Sequence, residues 1–234
     1  MNYFNISFLL IVLSTWLIAL ILFLRSKGRK FVVIWGWATL AVSIWGVGGA
    51  IATFAGSRDV GFYGWQIAHI GTITIPIVFF HFINVYCNLN KRFLLWVVYL
   101  SGLVFLYFNF FDQKYFFGDV KFAFDQFYFT DWHKYHGKVY VVMYIGFYWI
   151  LLLYSFLHLI KVFMLSRGFK RNEVKYLMLS SSLGWVGAHG NFISIYSQEI
   201  YPYWNVLIAI YPIIMTYAII RHRLMDITLA ITRT

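Results

Sequence analysis

Charged side chains are scarce in this sequence, and none of them lies within its long apolar segments. Only 12% of the 234 residues are charged, whereas 62% are hydrophobic and the mean hydropathy is +0.72. This composition is outside the range of soluble domains and predicts a membrane protein. The apolar segments are long enough to span a bilayer as helices, and they cover residues 4–24, 31–56, 64–86, 93–111, 139–160, 176–197 and 203–220.

The lack of charge at membrane depth excludes several classes of function. Ion-coupled transporters, proton pumps and voltage sensors need ionisable groups within their spanning helices. A retinal protein needs a lysine for its Schiff base, and the seventh segment has none. The sequence also lacks a zinc-protease helix, a phosphate-binding loop and the nucleotide motifs of kinases. We therefore do not expect this chain to be an enzyme.

Cysteine and acidic residues are also rare. Cys87 is the single cysteine, so no disulfide can form within the chain, and we expect it to be an apolar filler. Eight acidic residues face 19 lysines and arginines, 14 of which lie in the connections 25–30, 87–92 and 161–175 and in the tail from residue 221. The positive-inside rule places these parts in the cytoplasm and the N-terminus outside. This clustering accounts for the basic charge, and we expect no nucleic-acid partner.

Small and polar residues repeat about once per helical turn in the second and sixth segments. Small residues on one stripe let helix backbones approach closely in lipid, so we expect both helices to lie inside the bundle. The stripes consist of Ser43, Gly46, Ala50 and Thr53, and of Ser180, Gly184, Gly187 and Asn191.

The connection from Asp112 to Gly137 is much longer than the others. Between Lys121 and Phe129, phenylalanines at alternate positions predict a small β-hairpin with an aromatic face. Water disfavours such a face, so we expect the hairpin to fold down on the helix ends as a lid. A cap that only seals the bundle is the alternative.

Histidine is the titratable residue that remains at membrane depth. His69 and His81 lie on the third segment, His158 on the fifth and His189 on the sixth. A polar residue facing the bundle interior is the plain interpretation of each. Two pairs at two depths, His69 with His189 and His81 with His158, also form a pattern that could hold haem by bis-histidine ligation.

The third segment has two polar faces separated by a proline. We predict an outer ligand-binding surface and an inner relay, because a proline breaks the helical hydrogen-bond ladder between them. The candidate ligand-binding residues are Trp65, His69, Thr72, His189 and Asn191, and the candidate relay residues are Pro76, His81 and Asn84.

Two motifs point to a known family. The sequence Pro76–Phe82, with its His-Phe pair, and the terminal Tyr217–Ile227, with Arg-His-Arg-Leu-Met-Asp-Ile, resemble the seven-transmembrane N-terminal region of bacterial histidine kinases. The resemblance covers nearly the whole chain. It implies a sensor in the bacterial cytoplasmic membrane, usually a homodimer, whose last helix continues to a cytoplasmic kinase or other output domain. The implied output linker contains Arg221, Arg223, Leu224 and Asp226.

The sequence as a whole predicts an all-α membrane protein, a seven-transmembrane helix bundle over residues 1–220 with a juxtamembrane linker over 221–234. We expect it to relay a small or lipophilic ligand, or a membrane stimulus, through helix 7 to an output domain that the 234 residues do not contain. The chain would then be a fragment or a standalone protein of the same fold. The alternatives are a haem-binding or redox membrane protein and a passive carrier of a neutral lipophilic solute.

Overall fold

The computed structural model describes residues 2–26, 30–131, 138–197 and 199–221. Most of its long helices are joined by short connections. A β-hairpin lies in the longer connection between the fourth and fifth long helices. The helices are α1 Tyr3–Arg25, α2 Lys30–Thr53, α3 Arg58–Tyr86, α4 Arg92–Phe111, α5 Gln113–Phe116, α6 Lys138–Leu165, α7 Gly168–Ser197 and α8 Leu207–Arg221, and a 3₁₀ turn, Tyr203–Val206, opens α8.

The seven predicted segments each coincide with a long helix, and the short α5 is an addition. The predicted fifth, sixth and seventh helices therefore correspond to α6, α7 and α8. Helices α1 to α4 and the part of α6 from Ile145 to Leu165 are long and apolar enough to cross a membrane, while the apolar run Tyr203–Met215 is shorter. Helix α3 begins at Arg58, six residues before the predicted segment, because Ser57 caps it by accepting a hydrogen bond from the Val60 amide.

Helix α3 lies at the centre of the bundle, where it contacts α2, α4, α6 and both strands of the hairpin. It approaches α2 very closely. A Cβ atom added to Gly48 would lie 2.1 Å from the Ala68 nitrogen, and one added to Gly64 would lie 2.4 Å from the Ala52 nitrogen. Only glycine permits backbone contact of this kind between membrane helices.

The two predicted stripes of small residues do face the bundle interior. Ser43 and Ser180 are buried, and a Cβ on Gly187 would lie 2.7 Å from the Ile208 side chain of α8. The close backbone approach of α2 to α3 nevertheless uses Gly48, which lies on a different face of α2 from the predicted stripe.

The predicted β-hairpin is present, with strands β1 Asp119–Ala123 and β2 Phe127–Asp131. Phe127 and Phe129 are buried, whereas Phe122 pairs with Tyr128 across the sheet and is 55% exposed. Residues that pair across the strands lie on the same face of the hairpin, so Phe122 and Tyr128 lie on one face. Phe127 and Phe129 lie on the other face, and the prediction of a single aromatic face was therefore wrong for Phe122.

The buried face of the hairpin covers one end of the bundle. The Phe127 ring lies 4.8 Å from the ring of Phe4 on α1, and the Phe129 ring lies 5.2 Å from the indole of Trp65 on α3. Arg58 at the start of α3 forms an ion pair with the buried Asp119 on β1. The expected folding of the hairpin onto the helix ends is thus observed, as both a lid and a sealing cap predict, and we refer to this side as the hairpin end.

Candidate functional site

A cavity of about 110 Å³ lies beneath the hairpin, and we call it the hairpin-end cavity. Its wall is built from α2, α3, α7, α8 and the hairpin, with further residues from α5 and α6. The wall is mainly aromatic and aliphatic, and its large apolar members include Trp35, Trp45, Phe79, Phe129, Trp185 and Ile208. Pockets for small molecules have this character, with few polar groups set in an apolar surface.

Four of the five candidate ligand-binding residues line this cavity: Trp65, His69, Thr72 and Asn191. The first three lie on one face of α3 and Asn191 lies on α7, so the fold brings together residues that are far apart in the sequence. His189 is not in the wall. Its ring packs against Trp149 on α6, with ring centroids 4.3 Å apart.

His69 is held in one orientation by its own helix and by the residue that follows α5. Its Nδ1 atom lies 2.6 Å from the Trp65 carbonyl oxygen, and its ring stacks on Phe117 with centroids 4.8 Å apart. Because a carbonyl oxygen can only accept, Nδ1 carries the proton in this contact. The Nε2 atom of the neutral ring is then a hydrogen-bond acceptor.

Several buried polar atoms in the cavity wall have no hydrogen-bond partner within the described part of the chain. They are Trp35 Nε1, Thr130 Oγ1, Ser181 Oγ and Asn191 Oδ1. Such an atom costs about 1–3 kcal/mol unless water or a ligand satisfies it. The wall therefore offers an indole donor, an amide acceptor and two hydroxyl groups. Among the described residues that line the cavity there is no Asp, Glu, Lys or Arg.

Asn191 also begins a chain of hydrogen bonds that leads away from the cavity. Its Nδ2 donates to Asn205 Oδ1 at 2.8 Å, and Asn205 Nδ2 donates to Ser7 Oγ on α1 at 2.6 Å. Asn205 lies in the 3₁₀ turn that opens α8. The sequence analysis did not identify Asn205 or Ser7. Asn205 could have been identified from the sequence, because it is an asparagine inside an apolar segment and such residues need polar partners within a membrane bundle.

The hairpin is fastened above the cavity by polar contacts as well as by its aromatic face. The Trp65 indole N–H donates to the Tyr128 carbonyl oxygen at 2.9 Å. The Tyr201 hydroxyl donates to Gln126 Oε1 at 3.2 Å and accepts from the Phe4 amide at the same distance. Trp65 is thus a buried link between α3 and the hairpin.

The candidate relay residues do not line the hairpin-end cavity. His81 and Asn84 line a second cavity at the opposite end of α3, where His81 Nδ1 lies 2.8 Å from the Tyr99 hydroxyl of α4. Pro76 is buried within α3. Arg221 is the last residue of α8, and Arg223, Leu224 and Asp226 lie outside the described residues.

The proposed haem pairs are not supported by a shared pocket. His69 lines the hairpin-end cavity while His189 packs against Trp149, and His158 Nδ1 lies 2.9 Å from the Tyr154 carbonyl of its own helix. The cavity volume is below the range of about 300–1,000 Å³ that drug-sized ligands occupy, so it suits a smaller molecule than a haem.

The sequence was also compared with known proteins. A family model described as the N-terminal 7TM region of histidine kinase matches residues 6–228. No curated protein and no solved structure shows a significant match to the chain.

Proposed function

The chain belongs to the family of the N-terminal seven-transmembrane region of histidine kinases, and on this premise we propose that it senses a small uncharged ligand in the hairpin-end cavity. In this proposal the ligand shifts the equilibrium between two arrangements of α8, and α8 passes the change to a cytoplasmic kinase domain. The family match extends over almost all of the described helices, so the proposal concerns the bundle as a whole.

One observation carries the proposal: the last helix forms part of the cavity wall. Ile208 and Tyr211 of α8 line the cavity together with the candidate residues of α3 and α7. A molecule bound there contacts the output helix directly. Helix shifts of about 1–2 Å are sufficient for signalling when the ligand binds the two states with different affinity.

The hydrogen-bond chain from Asn191 to Asn205 supports the same direction of transmission. The free Oδ1 of Asn191 faces the ligand side in this proposal, while its Nδ2 holds the 3₁₀ turn at the start of α8. A ligand donor that binds Oδ1 changes the position of the amide. The change reaches α8 through Asn205 and α1 through Ser7.

The wall chemistry defines the ligand class. Charge is disfavoured because the wall has no charged side chain to pair with it. A hydrogen-bond acceptor on the ligand suits the Trp35 indole N–H, and a donor suits Asn191 Oδ1. We therefore propose a compact, mostly apolar molecule that carries a hydroxyl, carbonyl or similar neutral polar group.

The proposal is tested by filling the cavity with a side chain. Ala188 of α7 lines the cavity, and Val186 of the same helix is 50% exposed on the outer surface. Both variants place a leucine on α7, A188L in the cavity wall and V186L on the outer surface, so V186L is the surface control for A188L. For the measurement, each variant is fused after its C-terminal end to a histidine-kinase core and placed in liposomes. The rate of autophosphorylation is then measured.

We expect A188L to change the basal autophosphorylation rate several-fold and V186L to leave it unchanged. We also expect A188L to alter hydrogen–deuterium exchange in residues 203–211. If both variants match the parent protein in rate and exchange, the cavity is not coupled to α8 and the proposal fails. A shift that is equal in the two variants has the same consequence, because it reports a general effect of side-chain size.

A further inference from the structure

A second cavity, of about 620 Å³, lies at the end of the bundle opposite the hairpin, and we call it the basic cavity. It is formed where α3 ends, α4 begins and α2 begins. Its wall combines cations, amides and a small apolar part. The polar members are Lys30 of α2, His81 and Asn84 of α3, Asn88, Asn90 and Lys91 of the connection, and Arg92 of α4.

The charge of this cavity has one sign. Lys30, Lys91 and Arg92 contribute three positive groups, and none of the described residues that line the wall is acidic. The acidic Glu173 is already engaged, since it accepts from Lys170 at 3.0 Å and from the hydroxyl of Tyr86, the last residue of α3, at 2.9 Å. Basic pockets between membrane helices bind anionic lipid headgroups.

The N-terminus of α4 adds a second source of positive potential. Lys91 occupies the N-cap position and makes no side-chain hydrogen bond to the first turn. The first amides of a helix lack partners within the helix, and the helix dipole favours an anion beside them. A phosphate group in the cavity would meet these amides as well as the side chains of Lys91 and Arg92.

Asn84 indicates that the anion also has a hydrogen-bond donor. The side chain lines the cavity and is only 3% exposed, and its Nδ2 donates to the Phe80 carbonyl at 2.9 Å. Its Oδ1 has no partner in the described chain. This atom accepts hydrogen bonds and cannot donate them, so an ionised phosphodiester alone does not satisfy it. A hydroxyl group on the alcohol that is esterified to the phosphate can donate to this atom.

The position of the cavity favours a lipid over a soluble ion. It lies among the ends of α2, α3 and α4, which are all helices of membrane-spanning length and composition. Phe93 and Trp96, in the first turns of α4, are 82% and 69% exposed. Aromatic side chains of this kind are typical of the lipid headgroup level. The positive-inside rule predicts that this end faces the cytoplasmic leaflet.

We propose that the basic cavity binds an anionic phospholipid with a hydroxylated headgroup. The phosphodiester lies near Lys30, Lys91, Arg92 and the α4 N-terminus, and the headgroup hydroxyl donates to Asn84 Oδ1. The site is independent of the hairpin-end cavity, because the two share no lining residue.

The test compares two lipids of equal charge. Phosphatidylglycerol has headgroup hydroxyls, whereas phosphatidylmethanol is a phosphodiester without them. The purified chain is placed in phosphatidylcholine nanodiscs that contain one of the two lipids. Native mass spectrometry then measures the fraction of protein that retains a bound anionic lipid. We expect phosphatidylglycerol to bind about fivefold more tightly, the effect of one additional hydrogen bond.

Variants assign this binding to the cavity. The double variant K91Q/R92Q should weaken the binding of both anionic lipids at least about tenfold, because it removes two of the three positive charges in the described wall. The variant K30Q, on another helix, should also weaken both. The double variant K161Q/K175Q removes the same charge from two exposed residues of α6 and α7 outside the cavity and should bind as the parent protein does. N84L should bind the two lipids equally.

Each contrary result overturns a defined part of the proposal. Equal losses of lipid binding in K91Q/R92Q and K161Q/K175Q would mean that binding depends on the overall charge of the protein. The basic cavity would then not be a lipid-binding site. Equal binding of the two lipids by the parent protein would remove the role of Asn84. Displacement of phosphatidylglycerol by millimolar glycerol phosphate or inorganic phosphate would show that the site takes a soluble phosphate and would overturn the assignment to lipid.

Discussion

The side-chain amide of Asn191 donates to Asn205 at 2.8 Å, which joins the wall of the hairpin-end cavity to the 3₁₀ turn that opens α8. Both residues are buried, and Asn205 continues the chain to Ser7 on α1. Three helices therefore meet in one polar contact at the hairpin end. Within an apolar bundle, a connection of this kind has no competing partner in the surrounding lipid.

Asn205→Ala should destabilise the bundle because it leaves Asn191 and Ser7 with fewer partners. The expected loss is about 1–3 kcal/mol, which for a chain of this size corresponds to ~2–4 °C per kcal/mol in the melting temperature. Thermal unfolding in detergent measures it. Ser14→Ala, which removes a hydroxyl bound only to its own helix, is the control. An unchanged melting temperature for Asn205→Ala would contradict the structural role of the network.

Gly48→Ala should force α2 and α3 apart. The new Cβ would lie 2.1 Å from the Ala68 nitrogen, a backbone atom that cannot rotate away. We expect a loss of about 1–3 kcal/mol or more from the overpacked contact, measured by thermal unfolding of the purified protein. Gly56→Ala is the matched control, since a Cβ there meets no atom within 4 Å. Equal melting temperatures in the two variants would mean that the helices are not packed as described.

Trp65→Phe should loosen the hairpin while the aromatic packing beneath it largely remains. The change removes the indole donor to the Tyr128 carbonyl and costs about 0.5–1.5 kcal/mol. Hydrogen–deuterium exchange in residues 119–131 should accelerate about threefold to tenfold, because the exchange rate rises exponentially with the loss of local stability. Trp96→Phe, at an exposed position of α4, should leave the exchange unchanged. Unaltered exchange in Trp65→Phe would show that this bond does not hold the hairpin.

Cys87, just beyond the end of α3, should react slowly with alkylating agents. Burial raises the pKa of the Cys87 thiol to about 11, although the charge of Lys170 acts in the opposite direction. The ordinary value used for comparison is 9.0, so at pH 8 the folded protein has about 100-fold less thiolate than the unfolded chain. Iodoacetamide labelling of this single cysteine should be slower by about that factor and should rise tenfold per pH unit. Similar rates in folded and denatured protein would contradict the buried environment.

Much of the architecture could be predicted from local patterns. The seven apolar segments predicted seven long helices within a few residues at most boundaries, because segment length and hydropathy are local properties. The largest differences are at α3 and α7, which begin at Arg58 and Gly168 rather than near 64 and 176. A charged residue marks the end of an apolar segment, where the lipid ends. The helix itself can extend beyond that residue, as α3 does to its N-cap Ser57. The hairpin was predicted from alternation, whereas its register decided that Phe122 faces outward.

The sequence by itself determined the class of this protein. Its charge-free segments of membrane length, its proline-containing third helix and its terminal motif identify the N-terminal seven-transmembrane region of histidine kinases. The tertiary structure alone decided which residues meet. Trp65, His69, Thr72 and Asn191 share a cavity with α8 while His189 does not, and His81 and Asn84 belong to the basic cavity at the other end. The physical reason is that hydropathy along the chain limits only the depth of a residue in the membrane. Which residues it contacts at that depth depends on close packing between helices, such as that of Gly48 on α2 against Ala68 on α3.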